Sequence, residues 1–280
     1  MREISAKLIT EKVAEICIQA NYHLGQDVIE AMKRGLQKEE SPTGRAILEQ
    51  LLENATIAHE GEFPICQDTG FAVLFVELGQ EVHVVEGGLN DAITAGVIKG
   101  YGDGYLRKSI VSDPLKRQNT GNNAPPVIWT EVVPGNQIKI TIAPKGGGSE
   151  NMSEVAMLTP ADGAEGVKNF VVDKVRRSGG NPCPPIVVGV GIGGTFEKVA
   201  YLAKKSILRP VGSRNQDPYY AAMEEELLER VNKLGVGPQG LGGRITALDV
   251  HVEVFPCHIA SLPAAVNIQC HAARHKEVIL

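Results

Sequence analysis

Three cysteines, Cys66, Cys183 and Cys270, stand far apart in the chain and in unlike settings. Cys66 lies in Pro64-Ile65-Cys66-Gln67-Asp68-Thr69-Gly70, Cys183 in Asn181-Pro182-Cys183-Pro184-Pro185, and Cys270 in Asn267-Ile268-Gln269-Cys270-His271. Two of these settings are polar or loop-like, where packing is a less natural role for a thiol. No helix or hairpin can gather residues so distant, so only a fold that returns to one place can make them act together. Three thiolates on one metal centre leave a position open for substrate. The chain holds five cysteines in all, an odd number. A disulfide framework is not expected in a large protein of this kind. Cys17 lies beside the stripe Ile9, Val13, Ile16, Ala20 and reads as a core residue. Cys257 reads as a packing residue on a strand and as a rival to Cys270.

Composition removes several classes. Of 280 residues, 43% are apolar and 22% charged, and the net charge is −5, without a long basic run. Phosphate neutralisation needs clustered Lys and Arg, so nucleic acid is not the expected partner. No stretch approaches the roughly 20 apolar residues of a membrane span. Met1 to Thr10 lacks the pattern of a secretory signal. A cytoplasmic protein is expected.

Apolar periodicity predicts helices over 4–35, 42–59 (with Ser41 as N-cap), 88–99, 161–177, 195–205 and 218–234. Strands are expected over 72–78, 127–133, 138–143, 186–190, 246–255 and 264–270. Pro134-Gly135-Asn136-Gln137 between two of them signals a hairpin, and Ile138, Ile140, Ile142 should line one buried face. The polar stretch 101–123 reads as a long functional loop. Helices and strands do not alternate as regular βαβ units. The expected fold is α+β, a mixed β-sheet with hairpins flanked by helices, as one catalytic domain over 1–280.

Two glycine-rich segments compete for a binding role. Gly189, Gly191 and Gly194 match G-x-G-x-x-G between a strand and a helix. No acid-terminated strand follows at the distance a dinucleotide needs, so close backbone packing, or a turn that supports the neighbouring Cys183, is preferred over nicotinamide binding. Lys145-Gly146-Gly147-Gly148-Ser149-Glu150-Asn151 lacks a Walker ending; its backbone N–H groups suit a carboxylate, the plainer reading being a flexible loop. Cys66-Gln67-Asp68-Thr69-Gly70 gathers a thiol, an amide, a carboxylate and a hydroxyl. It fits a nucleophilic cysteine served by His258 or His271, or a simple Asx turn. His251, His23, His59 and His83 read as structural. Zinc spacing is absent.

Taken together, these motifs and Gly237-Pro238-Gln239-Gly240-Leu241-Gly242-Gly243 resemble the iron–sulfur (class I) fumarate hydratase and tartrate dehydratase family. The likeness is to its alpha subunit and runs from the first helix to the last residue. It implies a [4Fe-4S] cluster on Cys66, Cys183 and Cys270, with one iron lacking a protein ligand. It also implies His258, Asp68 and Arg107 as catalytic residues, with Gln67 and Gly148 on the substrate. A beta subunit would supply the rest of the active site, including the proton-abstracting group. An alpha–alpha contact follows from the family as well. The expected activity is a hydro-lyase on a small 2-hydroxy dicarboxylate, malate and fumarate first and tartrate next. An iron–sulfur sensor module is the alternative outside catalysis.

Overall fold

The computed structural model describes residues 1–61 and 63–280. In chain order the first part holds β1 (Arg2–Ser5), α1 (Ala6–Tyr22), α2 (Gln26–Lys38), α3 (Pro42–His59), β2 (Phe71–Gly79), β3 (Val82–Val85), α4 (Leu89–Asp103), β4 (Val127–Val133) and β5 (Ile138–Lys145). The remainder holds α5 (Gly147–Glu150), β6 (Glu154–Leu158), α6 (Gly163–Ser178), β7 (Ile186–Gly193), α7 (Phe196–Ser206), α8 (Pro218–Asn232), β8 (Ala247–Phe255), β9 (Leu262–Gln269) and β10 (Lys276–Ile279). The fold is mixed α+β, as the sequence predicts. It divides into two units: Met1–Leu24 with Ala55–Gly147 and Arg274–Leu280, and Gly25–Asn54 with Gly148–Ala273.

In the first unit, four strands run in the order β10-β5-β2-β4. α1 packs on α4, on β5 and on β10. The stripe Ile9, Val13, Ile16, Cys17, Ala20 meets Leu74, Val76 and the row Ile138, Ile140, Ile142, all buried in one cluster. Each such aliphatic side chain contributes roughly 1.5–3 kcal/mol relative to exposure. The long helix expected over 4–35 is two helices. Ser5 Oγ accepts the Leu8 N–H to start α1, and the extended backbone of His23 and Gly25 separates it from α2. α3 spans Pro42–His59 as expected, and Ser41 Oγ accepts the Gly44 N–H at 3.2 Å.

The hairpin expected across Pro134–Gln137 does not form. β2 lies between β4 and β5, parallel to one and antiparallel to the other. The turn instead closes on the end of β2: carbonyls of Val133, Gly135 and Gln137 accept the N–H groups of Gln80, Glu81 and Gly79. Four turn residues easily cross two strand spacings, roughly 10 Å. A turn signal therefore shows that the chain reverses, not that the reversed strands pair.

In the second unit the order is β6-β9-β7-β8, with β7 parallel to β8 and antiparallel to β9. The segment that matches G-x-G-x-x-G is explained by strand alternation. Ile186, Val188, Val190 and Ile192 join the core formed with α6 and α8. Gly189 and Gly191 alternate with them, and a Cβ there would stand 2.1 Å from the Ala203 carbonyl oxygen and 2.3 Å from that of Val199. The glycines let α7 lie directly on the strand backbone.

Candidate active site

The loop before β2 is held in the first unit from several sides. Asp68 N–H donates to Cys66 Sγ at 3.4 Å. The Asp68 carboxylate accepts N–H groups from Gly70 at 3.0 Å and Gly147 at 2.8 Å. One backbone N–H of the lysine-glycine segment is thus taken up by Asp68. Thr69 Oγ accepts the Arg107 N–H at 2.9 Å, which ties the long loop to the cysteine loop. Tyr101 Oη donates to the carbonyls of Thr69 and Gly70 at 2.8 and 3.1 Å. Burial pushes the Tyr101 hydroxyl pKa far up, so it remains a donor. Asn123 Nδ2 donates to the Gly70 carbonyl at 3.2 Å. Gln67 and Arg107 are exposed and Cys66 is half-buried.

In the second unit, Cys183 lies just before β7 and Cys270 just after β9. These strands are antiparallel neighbours with Val187 opposite Gln269, so both cysteines fall at the same end of the sheet. His271 N–H donates to the Cys183 carbonyl at 3.2 Å and joins the two loops directly. Cys183 is exposed, in the left-handed backbone region at φ 56°, and Cys270 is half-buried. Gly148 approaches this loop: a Cβ on it would be 3.3 Å from the Asn181 carbonyl oxygen.

Cys257 and His258 lie at the opposite end of that sheet. They line a cavity of about 320 Å³ with Ile192, Tyr219 and Leu262. Between the Val187–Gln269 level and the Ile192–Ala264 level there are five strand steps, roughly 17 Å at 3.3 Å each. Both groups lie beyond those levels, in opposite directions. His258 Nδ1 accepts the Ala260 N–H, and Cys257 Sγ donates to the Ser261 carbonyl. Cys17 is buried in the core as expected, and burial pushes its thiol pKa far up. His251 is fully buried, with its ring nitrogens on the Ser206 carbonyl and Asp249.

Among the described residues, no three His, Cys, Asp or Glu side chains converge closely enough for a single metal ion. A four-iron cluster spreads its thiolates around a larger body, and thiols are the donor set it uses. Arg274 adds an independent sign. It is 3% exposed and donates Nη2 to the Asp68 carbonyl at 2.6 Å, while Nε and Nη1 are buried without a hydrogen-bond partner. A guanidinium stays charged when buried and needs negative charge nearby. A cluster held by thiolates carries net negative charge, and Arg274 is bonded to the loop that carries Cys66, so that loop fits such a group. Sequence reasoning passed over Arg274, Tyr101 and Asn123, whose partners are backbone carbonyls distant in the chain.

Each of the two four-stranded mixed sheets carries cysteine-bearing loops at its strand ends. The chain belongs to the fumarate hydratase (Fumerase) family, whose model matches residues 10–279. A "Putative L(+)-tartrate dehydratase subunit alpha" of Methanocaldococcus jannaschii is 44% identical over 272 residues, covering 95% of each chain. The L(+)-tartrate dehydratase subunit alpha of Escherichia coli K12 is 33% identical over 275 residues, covering 97% of this chain and 90% of its own. That of strain UTI89 is 34% identical over 269 residues, with 95% and 88% covered. No helix among the described residues is long and apolar enough to cross a membrane.

Proposed function

We propose that this chain is the alpha subunit of a hydro-lyase that dehydrates a 2-hydroxy dicarboxylate, with L(+)-tartrate as its substrate and a beta subunit completing the site. The substrate follows the names of the three relatives given above, tartrate dehydratase alpha subunits (one of them putative) at 33–44% identity. The malate–fumarate pair is the second reading and is favoured by the description of the family model. Tartrate carries one hydroxyl more than malate.

The observation that carries the reading is the pairing of the Cys183 and Cys270 loops at one end of a sheet. Cys66, Cys183 and Cys270 would hold a [4Fe-4S] cluster. When bound, the cluster supplies an iron without a protein ligand, a Lewis acid for the departing hydroxide. Asp68, fixed by Gly70 and Gly147, would accept a hydrogen bond from a substrate hydroxyl. Arg107 would pair with a substrate carboxylate in a charge-assisted contact, and Gln67 and Gly148 would help to seat it. His258 would hold or deliver a proton. From the far end of the sheet it would serve the site of a second alpha chain, across an alpha–alpha contact.

The test is anaerobic purification with iron and sulfide analysis, then assay with the natural beta subunit against L-tartrate, malate and fumarate. About four irons per chain are expected, retained by Cys257→Ser and lost by Cys270→Ser. L-tartrate should be the best substrate, with little activity from the alpha chain alone. A folded chain that takes up no iron without oxygen refutes the cluster. Preference for malate moves the assignment to the second reading.

A further inference from the structure

Gly237-Pro238-Gln239-Gly240-Leu241-Gly242-Gly243 has no part in the chemistry above. We infer that Gln239 is a positioning residue that locks the Cys183 and Cys270 loops together and so holds two cluster thiols in place. This rests on the cluster assignment proposed above.

Gln239 reaches both loops at once. Its backbone N–H and its side-chain Nε2 both donate to the Pro184 carbonyl, at 2.7 and 2.8 Å. Nε2 also stands 3.2 Å from His271 Nδ1. Pro184 follows one cysteine and His271 follows the other. The carbonyl contact fixes which end of the amide carries nitrogen, because only the NH2 group can face an acceptor. One amide hydrogen then serves Pro184. His271 Nδ1 faces both Nε2 and the Cys183 carbonyl oxygen, the latter at 3.1 Å, accepting from the first in one tautomer and donating to the second in the other. The His271 N–H closes the ring on the Cys183 carbonyl at 3.2 Å.

The backbone is shaped for this contact. Gln239 has φ 53° and ψ 17°, the left-handed region that a glutamine adopts only at a cost. There its own N–H and its side chain address the same carbonyl. Gly240, also left-handed at φ 77°, rests on Gly180 of the turn that leads to Cys183. A Cβ on Gly240 would stand 2.5 Å from the Gly180 Cα. The Cys183 N–H in turn donates to the Gly180 carbonyl at 3.0 Å. The loop therefore moulds the Cys183 turn from below and ties its top to Cys270. Cys183 is itself left-handed at φ 56°, a conformation that surrounding contacts must hold.

The test uses the full chain loaded anaerobically, and reads the rate of iron release to a chelator from the loss of visible absorbance. Gln239→Ala removes the side-chain donors and leaves the backbone bond. Gln239→Glu keeps the size but cannot donate to Pro184. Both should release iron about tenfold faster than the parent, the scale of one or two lost hydrogen bonds. Thermal unfolding of the metal-free protein should change little. Leu241→Ala, on the exposed side of the same loop, should match the parent. Release at the parental rate from both Gln239 variants overturns the inference, as does loss of the metal-free fold in both, which would make Gln239 a folding residue. A parent chain that takes up no iron refutes the cluster assignment instead, and the two failures are told apart by the parent alone.

Discussion

The position of His258 makes a prediction that separates two architectures. At roughly 17 Å or more from the Cys183–Cys270 end of its own sheet, it cannot reach a substrate bound there, since proton transfer needs hydrogen-bond reach, about 3 Å. If it takes part, it does so from a second copy. His258→Ala should then lower kcat by about 10²–10⁴, and Cys270→Ser should abolish activity through loss of the cluster. Each variant alone should have little or no activity. Co-expressed with differently tagged copies and the beta subunit, they form hybrids. In a hybrid the intact cysteines of one copy meet the intact histidine of the other, so one of two sites is complete. Random pairing in a two-fold dimer makes half the dimers hybrid, giving about one quarter of the parental activity. Purified hybrids should show about half. Activity near zero in purified hybrids, with iron still bound to the Cys-intact copy, refutes the cross-chain role.

Two further outcomes follow from buried charges. Arg274→Met should leave the urea stability of the metal-free protein unchanged or raised, because it removes a buried cation with unpaired donors. It should nevertheless speed iron loss from the loaded protein; lower metal-free stability with unchanged iron retention would refute the electrostatic role. Burial alone would raise the Glu39 carboxyl pKa, but backbone N–H groups of Ser41, Arg244 and Ile245 outweigh it and hold the pKa below the usual range. Glu39→Gln should therefore cost about 2–3 kcal/mol at pH 7, or ~5–10 °C in Tm. A group with a lowered folded pKa stabilises above its unfolded pKa and loses that contribution as pH falls through the folded one. The gap between parent and variant should thus close in acid, and a gap that widens there would show the sign to be wrong.

Much of the framework is legible in the sequence because it is encoded locally. The α3 boundaries follow from the Ser41 cap and the apolar period, and the buried row Ile138, Ile140, Ile142 from strand alternation. The alternation of valine and glycine in β7 is also local, though its meaning, one face for α6 and α8 and the other for α7, needs the helices in place. The short strands β1, β3, β6 and β10 carry no clear local signal, since four or five residues become strands only through partners far away in the chain. The same holds for the pairing of β2 with both β4 and β5.

By itself the sequence determined the chemistry available: thiols in polar loops, a carboxylate beside one of them, glycine-rich turns, and a family likeness over nearly the whole chain. Side-chain chemistry and local turn preference are properties of short segments. Tertiary structure alone decided which groups meet. It placed Cys183 and Cys270 at one end of a sheet and sent Cys257 and His258 to the other, because strand direction and register are set by pairing over long distances. It also brought Gln239 to Pro184 and His271, and Arg274 to Asp68, contacts between residues that share no local pattern.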